Sequence, residues 1–389
     1  MTPGGRAAAA IEVLDRILAG AAAEQALTTW GRNSRYAGSK DRAAVRDLVF
    51  SALRRRRSAA AMGGAEDGRG LILGLLRQNG QEPSGLFTGE GYAPDPLSVD
   101  EKAADWSALP PQVKADLPDW VYATFGRDLG DNADRVAAVL RERAPVHIRS
   151  NRRRISREAV AATLKQDGIE ARPLVLSDTA LEIGEGARRL RSTTLFADGQ
   201  FELQDAASQA LSDRVPLMPG GRFLDYCAGG GGKTLAIAAR LDGDFFAHDA
   251  NPQRLRDLPE RAERAGIKVV ILERPDGIYD TVLCDVPCSG SGAWRRSPEA
   301  KWRLTPDRLA ELRRVQADIL DKAARRVAPG GILAYATCSL FHDENDMQVD
   351  EFLVRNHRFS LVQAFRWAPS DEGDGFYLAI LTGAQPGID

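Results

Sequence analysis

The sequence predicts an α/β protein with a parallel, doubly wound sheet in its C-terminal half. An all-helical N-terminal region and a small α+β unit precede that domain. Three observations predict this arrangement. Residues 1 to about 78 carry apolar side chains at helical spacing. Near Val146 the texture changes to short alternating runs. From Phe201 on, apolar strand-like runs alternate with helical stretches, as in a sheet covered on both faces.

In the first region, Ile11, Leu14, Ile17 and Leu18 share one helical face, and Gly20 is the stop. A second helix places Val45, Leu48, Val49, Ala52 and Leu53 together, and a third runs near Leu71 to Leu76. Residues 79 to 110 are rich in Gly and Pro and read as loop. Short helices return at Val113 to Phe125 and Asp131 to Arg143.

The middle unit opens with the alternating strand Val146 to Ser150. Ser156 then caps a helix to Gln166, and Pro173 to Leu176 and Ala180 to Ile183 are short strands. In the last region, Arg222 to Tyr226, Asp244 to His248, Lys268 to Leu272, Thr281 to Asp285 and Gly331 to Ala336 are strands. Leu235 to Leu241, Gln253 to Ala265, Pro306 to Val327 and Glu344 to Asn356 are helices. The expected domains are 1–130, 131–200 and 201–389.

A chain of 389 residues holds two or three domains of this size. Its 43% hydrophobic and 27% charged content is ordinary for a soluble protein. The net charge of −2 excludes a general polycation, so any nucleic-acid contact must use local patches. Four cysteines, Cys227, Cys284, Cys288 and Cys338, form no secreted disulfide framework, and a reducing cytoplasm is the expected setting. No Cys-x-x-Cys pair occurs and the histidines are scattered, so no metal site is expected. The opening Met1-Thr2-Pro3-Gly4-Gly5-Arg6 carries no signal-peptide pattern, and no apolar run reaches the ~18 residues of a membrane span.

The stretch Phe223-Leu224-Asp225-Tyr226-Cys227-Ala228-Gly229-Gly230-Gly231-Gly232-Lys233-Thr234 reads as strand, glycine turn and helix start. It ends like a phosphate-binding loop, but the first required glycine position holds Cys227. The dinucleotide pattern fails too, with Thr234 at its third glycine. Downstream, Asp249 ends the next strand, where a carboxylate accepts ribose hydroxyls. A glycine turn and a ribose acid without pyrophosphate machinery fit S-adenosylmethionine; a structural turn beside a solvated Asp is the alternative.

Cys284 lies inside a strand and reads as a small buried hydrophobe. Cys288 and Cys338 lie just past strand ends, where doubly wound sheets bind ligands. If those strands are neighbours, both thiols face one cleft. A thiolate there is a competent carbon nucleophile, and Lys233 and nearby arginines could lower its pKa. Asp285 points to the same cleft, able to hydrogen-bond a heterocyclic base or simply to cap the next turn.

These residues resemble the RNA cytosine-C5 methyltransferases of the ribosomal RNA methyltransferase B / Nop / Sun family. The matching stretches are Asp225-Tyr226-Cys227-Ala228 with Gly231-Gly232-Lys233-Thr234, Asp285-Val286-Pro287-Cys288-Ser289-Gly290-Ser291-Gly292, and Arg295-Arg296 with Lys301-Trp302 and Thr305-Pro306. Tyr335-Ala336-Thr337-Cys338-Ser339 with Glu344-Asn345, Phe201 to Gln209, and Asp374-Gly375-Phe376-Tyr377 also match. The likeness covers roughly residues 145 to 382. The N-terminal helices resemble, more weakly, a NusB-like RNA-binding module.

The resemblance implies a Rossmann-like, S-adenosylmethionine-dependent methyltransferase domain acting on RNA, with 16S ribosomal RNA the expected substrate. It implies that Cys338 attacks C6 of a cytosine, Cys288 assists release, Asp285 contacts the base and Lys233 shapes the site. It implies that Cys227, Ala228, Gly229, Gly230, Gly231, Gly232, Lys233, Asp249, Arg254 and Asp285 hold the cofactor. Gly229 and Gly230 stand where the family commonly has Ala-Pro. No clear Asp occupies its adenine-binding position, leaving Glu273 or Asp276.

Arg152-Arg153-Arg154, Arg188-Arg189-Leu190-Arg191 and Arg295-Arg296 are candidate phosphate contacts, and Trp294 and Trp302 candidate stacking partners for bases. A non-catalytic RNA-binding or ribosome-assembly protein is the rival reading. The retained thiols, Asp285 and Lys233 argue against it, because binding alone needs none of them.

Overall fold

The computed structural model describes residues 1–384. They divide into two compact units. One is Met1–Arg143 with Trp294–Arg303, the other Ala144–Ala293 with the chain from Leu304 onward. Among the described residues, no helix is long and apolar enough to cross a membrane.

The first unit is helical: α1 (Pro3–Leu18), α2 (Ala23–Asn33), α3 (Ser39–Arg54), α4 (Arg56–Gly63), α5 (Gly68–Gln78), α6 (Pro111–Lys114), α7 (Asp119–Leu129) and α8 (Ala133–Leu140). Thr2 caps α1 by accepting from Gly5 N at 3.1 Å, with Pro3 at the first helical position. The apolar faces read from the sequence meet in one core, with Val13 and Leu14 of α1, Val45 and Val49 of α3, and Leu71 to Leu76 of α5. Helices α2 and α4 were not expected. The α4 sequence, Arg-Arg-Ser-Ala-Ala-Ala-Met-Gly, has little apolar bulk to show a period. It packs through smallness instead: a Cβ on Gly74 of α5 would lie 1.8 Å from the Ala59 carbonyl oxygen.

The segment Trp294–Arg303 is built into this helical core. Trp294 is buried and stacks on Phe125, with centroids 6.1 Å apart and planes 11° apart. The Arg295 carbonyl accepts from Arg54 Nε at 2.7 Å, and the Trp302 indole donates to Leu53 O at 2.7 Å. Lys301 is also buried, its ammonium 2.8 Å from Arg54 O. Expected RNA contacts at Trp294 and Arg295 are thereby corrected, because both side chains are interior; Arg296 remains exposed.

The second unit holds two sheets. In chain order it runs β1 (Val146–Ser150), α9 (Arg157–Gln166), β2 (Ala171–Pro173), β3 (Ala180–Ile183), α10 (Thr194–Ala197), β4 (Phe201–Leu203) and α11 (Ala206–Arg214). Then come β5 (Arg222–Asp225), α12 (Gly232–Ala238), β6 (Asp244–Ala247), α13 (Leu258–Ala265), β7 (Val270–Ile271) and β8 (Tyr279–Asp285). The excursion into the helical unit carries α14 (Glu299–Arg303). After it come α15 (Pro306–Ala324), β9 (Val327–Thr337), α16 (Asp346–Arg355), β10 (Phe359–Trp367) and β11 (Phe376–Gly383).

The small sheet has the order β2-β3-β1-β4, entirely antiparallel. Ser156 caps α9 as expected, accepting from Ala159 N at 3.2 Å. The expected strand from Pro173 to Leu176 lies earlier, at β2, and β4 was not expected.

The large sheet has the order β10-β11-β9-β8-β5-β6-β7. Strands β5 to β9 are parallel, with Asp225 paired to Ala247 and Leu283, and Asp285 to Ala336. The β10–β11 hairpin adds antiparallel strands that the sequence reading did not anticipate. Alternation places Phe223 and Leu283 against α11 to α13 on one face, and Leu224 and Cys284 against α15 and α16 on the other. Cys284 is fully buried, as read.

Candidate active site

Parallel pairing brings four strand ends to one edge of the large sheet. After β5 comes the glycine turn, after β6 Asp249, after β8 Cys288, and after β9 Cys338. Strand order reverses at β5, with β6 on one side and β8 on the other, and this is the edge at which doubly wound sheets bind ligands.

The turn is held from both sides. Gly229 (φ +52°) and Gly231 (φ +77°) take left-handed conformations, and a Cβ on Gly231 would sit 2.2 Å from Leu258 Cδ1. Asp249 is buried and accepts from Gly229 N at 2.9 Å, from Asn251 N at 2.9 Å and from Arg254 Nη1 at 3.1 Å. Below the turn, Asp225 accepts from the Thr234 hydroxyl at 2.7 Å. Burial, opposed by the Thr234 bond, raises this carboxyl to about 7. A closely approachable turn beside a buried carboxylate on the next strand fits a cofactor with an unphosphorylated ribose. Cys227 is half-buried, and desolvation pushes its thiol up, which favours packing in this loop over attack on a substrate.

Two arginines that the sequence reading did not single out hold the loop carbonyls. Arg149 of β1 is buried and donates to Gly232 O at 2.9 Å and to Gln204 Oε1 at 2.6 Å. Arg261 of α13 donates to Gly230 O and pairs with Glu202 of β4 at 3.0 Å. The visible signal was the Phe201 to Gln209 stretch, matched without a role.

The expectation for the thiols holds in the pairing: β8 and β9 are neighbours. Cys288 Sγ and Cys338 Sγ lie 3.4 Å apart, within sulfur hydrogen-bond reach. The bond to Cys338 and then burial push the Cys288 thiol well above its ordinary value, opposite to the lowering anticipated from nearby cations. Beside them, Lys233 Nζ donates to Asp285 Oδ2 at 2.6 Å and stands 5.1 Å from the Phe376 ring centroid. Burial alone would lower Lys233. The charge and hydrogen bond of Asp285, with smaller contributions from Cys338 and Asp225, hold it above its usual value. Catalytic candidates Cys338, Cys288, Asp285 and Lys233 thus gather at one place, with the loop and Asp249 alongside.

The structure also separates the two adenine candidates. Glu273 follows β7 at the carboxyl edge, next to the strand that ends before Asp249. Asp276 precedes β8 at the opposite edge, where its carbonyl accepts from Arg326 at 3.1 Å. Among the basic clusters, Arg152, Arg153, Arg154, Arg188, Arg189 and Arg191 are exposed. Arg153 is tied down on Ala238 O, Leu241 O and Asp242, and Arg189 on Asp167 O and Gly168 O.

Residues 215–382 match the model of the 16S rRNA methyltransferases RsmB/F, and residues 117–188 match the ferredoxin-like domain of RsmF/B-like methyltransferases. The ribosomal RNA small subunit methyltransferase B of Salmonella arizonae is 31% identical over 283 residues, covering 68% of this chain and 66% of the relative. That of Escherichia coli is 29% identical over 332 residues, covering 80% and 73%. The chain thus spans about two thirds of the first relative's length. The crystal structure of PH0851 superposes with a TM-score of 0.77 at 23% identity, over 98% of this chain and 99% of that one. NSun6 from Pyrococcus horikoshii, crystallised with SFG, gives 0.62 at 20% identity, over 69% and 99%. With both family models matched in order, the chain belongs to the RsmB/F methyltransferase family.

Proposed function

We propose that this protein is an S-adenosylmethionine-dependent methyltransferase acting on C5 of a cytosine in RNA, with 16S ribosomal RNA as substrate. The observation that carries the reading is the thiol pair, 3.4 Å apart beside the Lys233–Asp285 ion pair and the glycine turn. The family match supports the substrate class.

The turn from Cys227 to Lys233, Asp249 and Arg254 would hold the cofactor, with Glu273 toward its adenine. When bound, the cofactor supplies an electrophilic methyl group. The chain's part is to make C5 a nucleophile and then let the product go. The target base leaves its stack to reach the sulfur. The Cys338 thiolate bonds to C6, and the electron pair of the C5–C6 double bond moves onto C5 and the ring. Asp285, fixed by Lys233, contacts the base edge. Once C5 has reacted, a base takes its proton, the C5–C6 double bond re-forms, and the C6–S bond breaks. Cys288, kept as a thiol, assists that release.

The test is bisulfite mapping of ribosomal RNA from cells with and without the gene. Loss of one methylcytosine from the small-subunit RNA is expected, restored by the wild-type gene. Unchanged methylcytosine throughout ribosomal RNA overturns the substrate assignment.

A further inference from the structure

Beneath the two cysteine loops lies a buried polar network. Its centre is Glu344, in the turn before α16, with no exposed surface. One carboxylate oxygen accepts from Ser289 N at 2.8 Å, the residue after Cys288. It also accepts from Gln316 Nε2 at 2.9 Å, and the same amide donates to Pro287 O at 2.9 Å, the residue before Cys288. The other oxygen accepts from the Ser339 hydroxyl, the residue after Cys338. One side chain therefore grips both loops immediately beside their sulfurs.

The surrounding bonds complete the clamp. Ser289 Oγ, Ser291 Oγ and Ser339 Oγ lie 3.2 Å from one another, and Ser291 Oγ accepts from Leu340 N at 2.7 Å. Gly292 N donates to Cys338 O at 2.9 Å, a direct strut between the loops. Tyr335 OH donates to Glu344 O at 2.6 Å, which anchors the glutamate's backbone to β9. A carboxylate desolvated this far persists only if its acceptors are filled, and filling them fixes the donors in turn.

We propose that Glu344 is a positioning residue that sets Cys288 and Cys338 in reach of each other, and so sets the reactive geometry of the thiol pair. The catalytic half of the inference rests on the methyltransferase reading; the geometric half does not. Glu344 touches neither sulfur in any hydrogen bond described, so it acts through the loops. Misplacing a reacting group by about an ångström costs on the order of a hundredfold in rate.

The substitutions separate geometry from charge. In Glu344→Gln the amide oxygen keeps the bonds from Ser289 N and Gln316. Its NH₂ donates to Ser339 Oγ, whose proton turns to Ser289 or Ser291 Oγ. Glu344→Ala removes every side-chain bond and keeps the one from Tyr335 OH to the backbone carbonyl. Full-length protein without RNA is treated with diamide, an azo oxidant that is reduced to its hydrazide as two thiols become a disulfide. Formation of the Cys288–Cys338 disulfide is timed by peptide mass spectrometry. Glu344→Ala is expected to slow it at least tenfold, with Glu344→Gln within threefold of wild type. Methylation kcat should follow the same order with KM for RNA unmoved. If Glu344→Ala does not fold, Ser339→Ala, which removes Glu344's bond to the Cys338 loop and the Ser339 contacts with Ser289 and Ser291, should slow disulfide formation about threefold. Wild-type oxidation rates in the folded variants, or a Gln variant as slow as Ala, overturn the proposal. A wild-type protein that forms the disulfide as expected yet methylates no RNA overturns the functional reading alone.

Discussion

Cys288 Sγ and Cys338 Sγ stand 3.4 Å apart, yet belong to loops 50 residues apart in sequence. Cys288 is pushed up by its bond to Cys338 and by burial. A thiol that holds its proton suits release better than attack. On RNA carrying 5-fluorocytosine, Cys338→Ala should trap no covalent complex, while Cys288→Ala should still trap one. Denaturing gels read the outcome, and the reverse pattern would exchange the two roles.

Lys233 and Asp285 form one unit, joined at 2.6 Å. Asp285→Ala should lower kcat by about 100-fold, in the range for a positioned polar group acting in the transition state. Lys233→Met should cost a similar factor, since it leaves the carboxylate without its partner. The double variant should be little worse than either single one, as for residues of one network. Single-turnover rates test this; losses that multiply mean the pair acts independently.

The sequence carried the parallel core well. Apolar runs of Val, Leu and Phe bounded by turns gave β5, β6, β8 and β9 to within a few residues. It also placed both thiols at strand ends, because Asp285-Val286-Pro287 and Thr337 mark where pairing stops. Strand β10 escaped notice because most of it is exposed, so Phe359 to Trp367 lacks the apolar run of a central strand; β11 does carry such a run, Phe376 to Leu381, and was passed over. Arg149 and Arg261 escaped for a different reason. Their partners are backbone carbonyls of the glycine turn, and no local pattern records which carbonyl a distant guanidinium will meet. Trp294 misled in the same way, since only tertiary packing on Phe125 tells a core ring from a stacking platform.

The glycine turn yields a matched pair of tests. Gly231 has φ +77° and no room, whereas Gly232 starts α12 with its nearest Cβ neighbour at 4.0 Å. Gly231→Ala should weaken S-adenosylmethionine binding at least tenfold by titration calorimetry, because both strain and the Leu258 clash distort the turn. Gly232→Ala should stay within threefold of wild type. Equal affinities for the two variants would mean the turn does not shape the cofactor site.

Lys301 predicts a pH dependence of stability. It is fully buried, and that burial lowers its ammonium to about 7, against the Asp116 charge and with help from Arg141 and Arg54. The folded-state value lies below the unfolded value of about 10.4. Between those two values the unfolded chain binds more protons, so Lys301 makes stability rise with pH across that window. Below about pH 7 both states are charged and the full cost of the buried ammonium is present, up to roughly 5 kcal/mol. Lys301→Met removes the titrating group and gives up one bond to Arg54 O, worth about 1 kcal/mol. The variant should therefore melt above wild type at pH 6, with the gap closing or reversing by pH 10. Calorimetric midpoints at several pH values read it, and parallel curves for the two proteins would mean that Lys301 keeps an ordinary pKa in the folded chain.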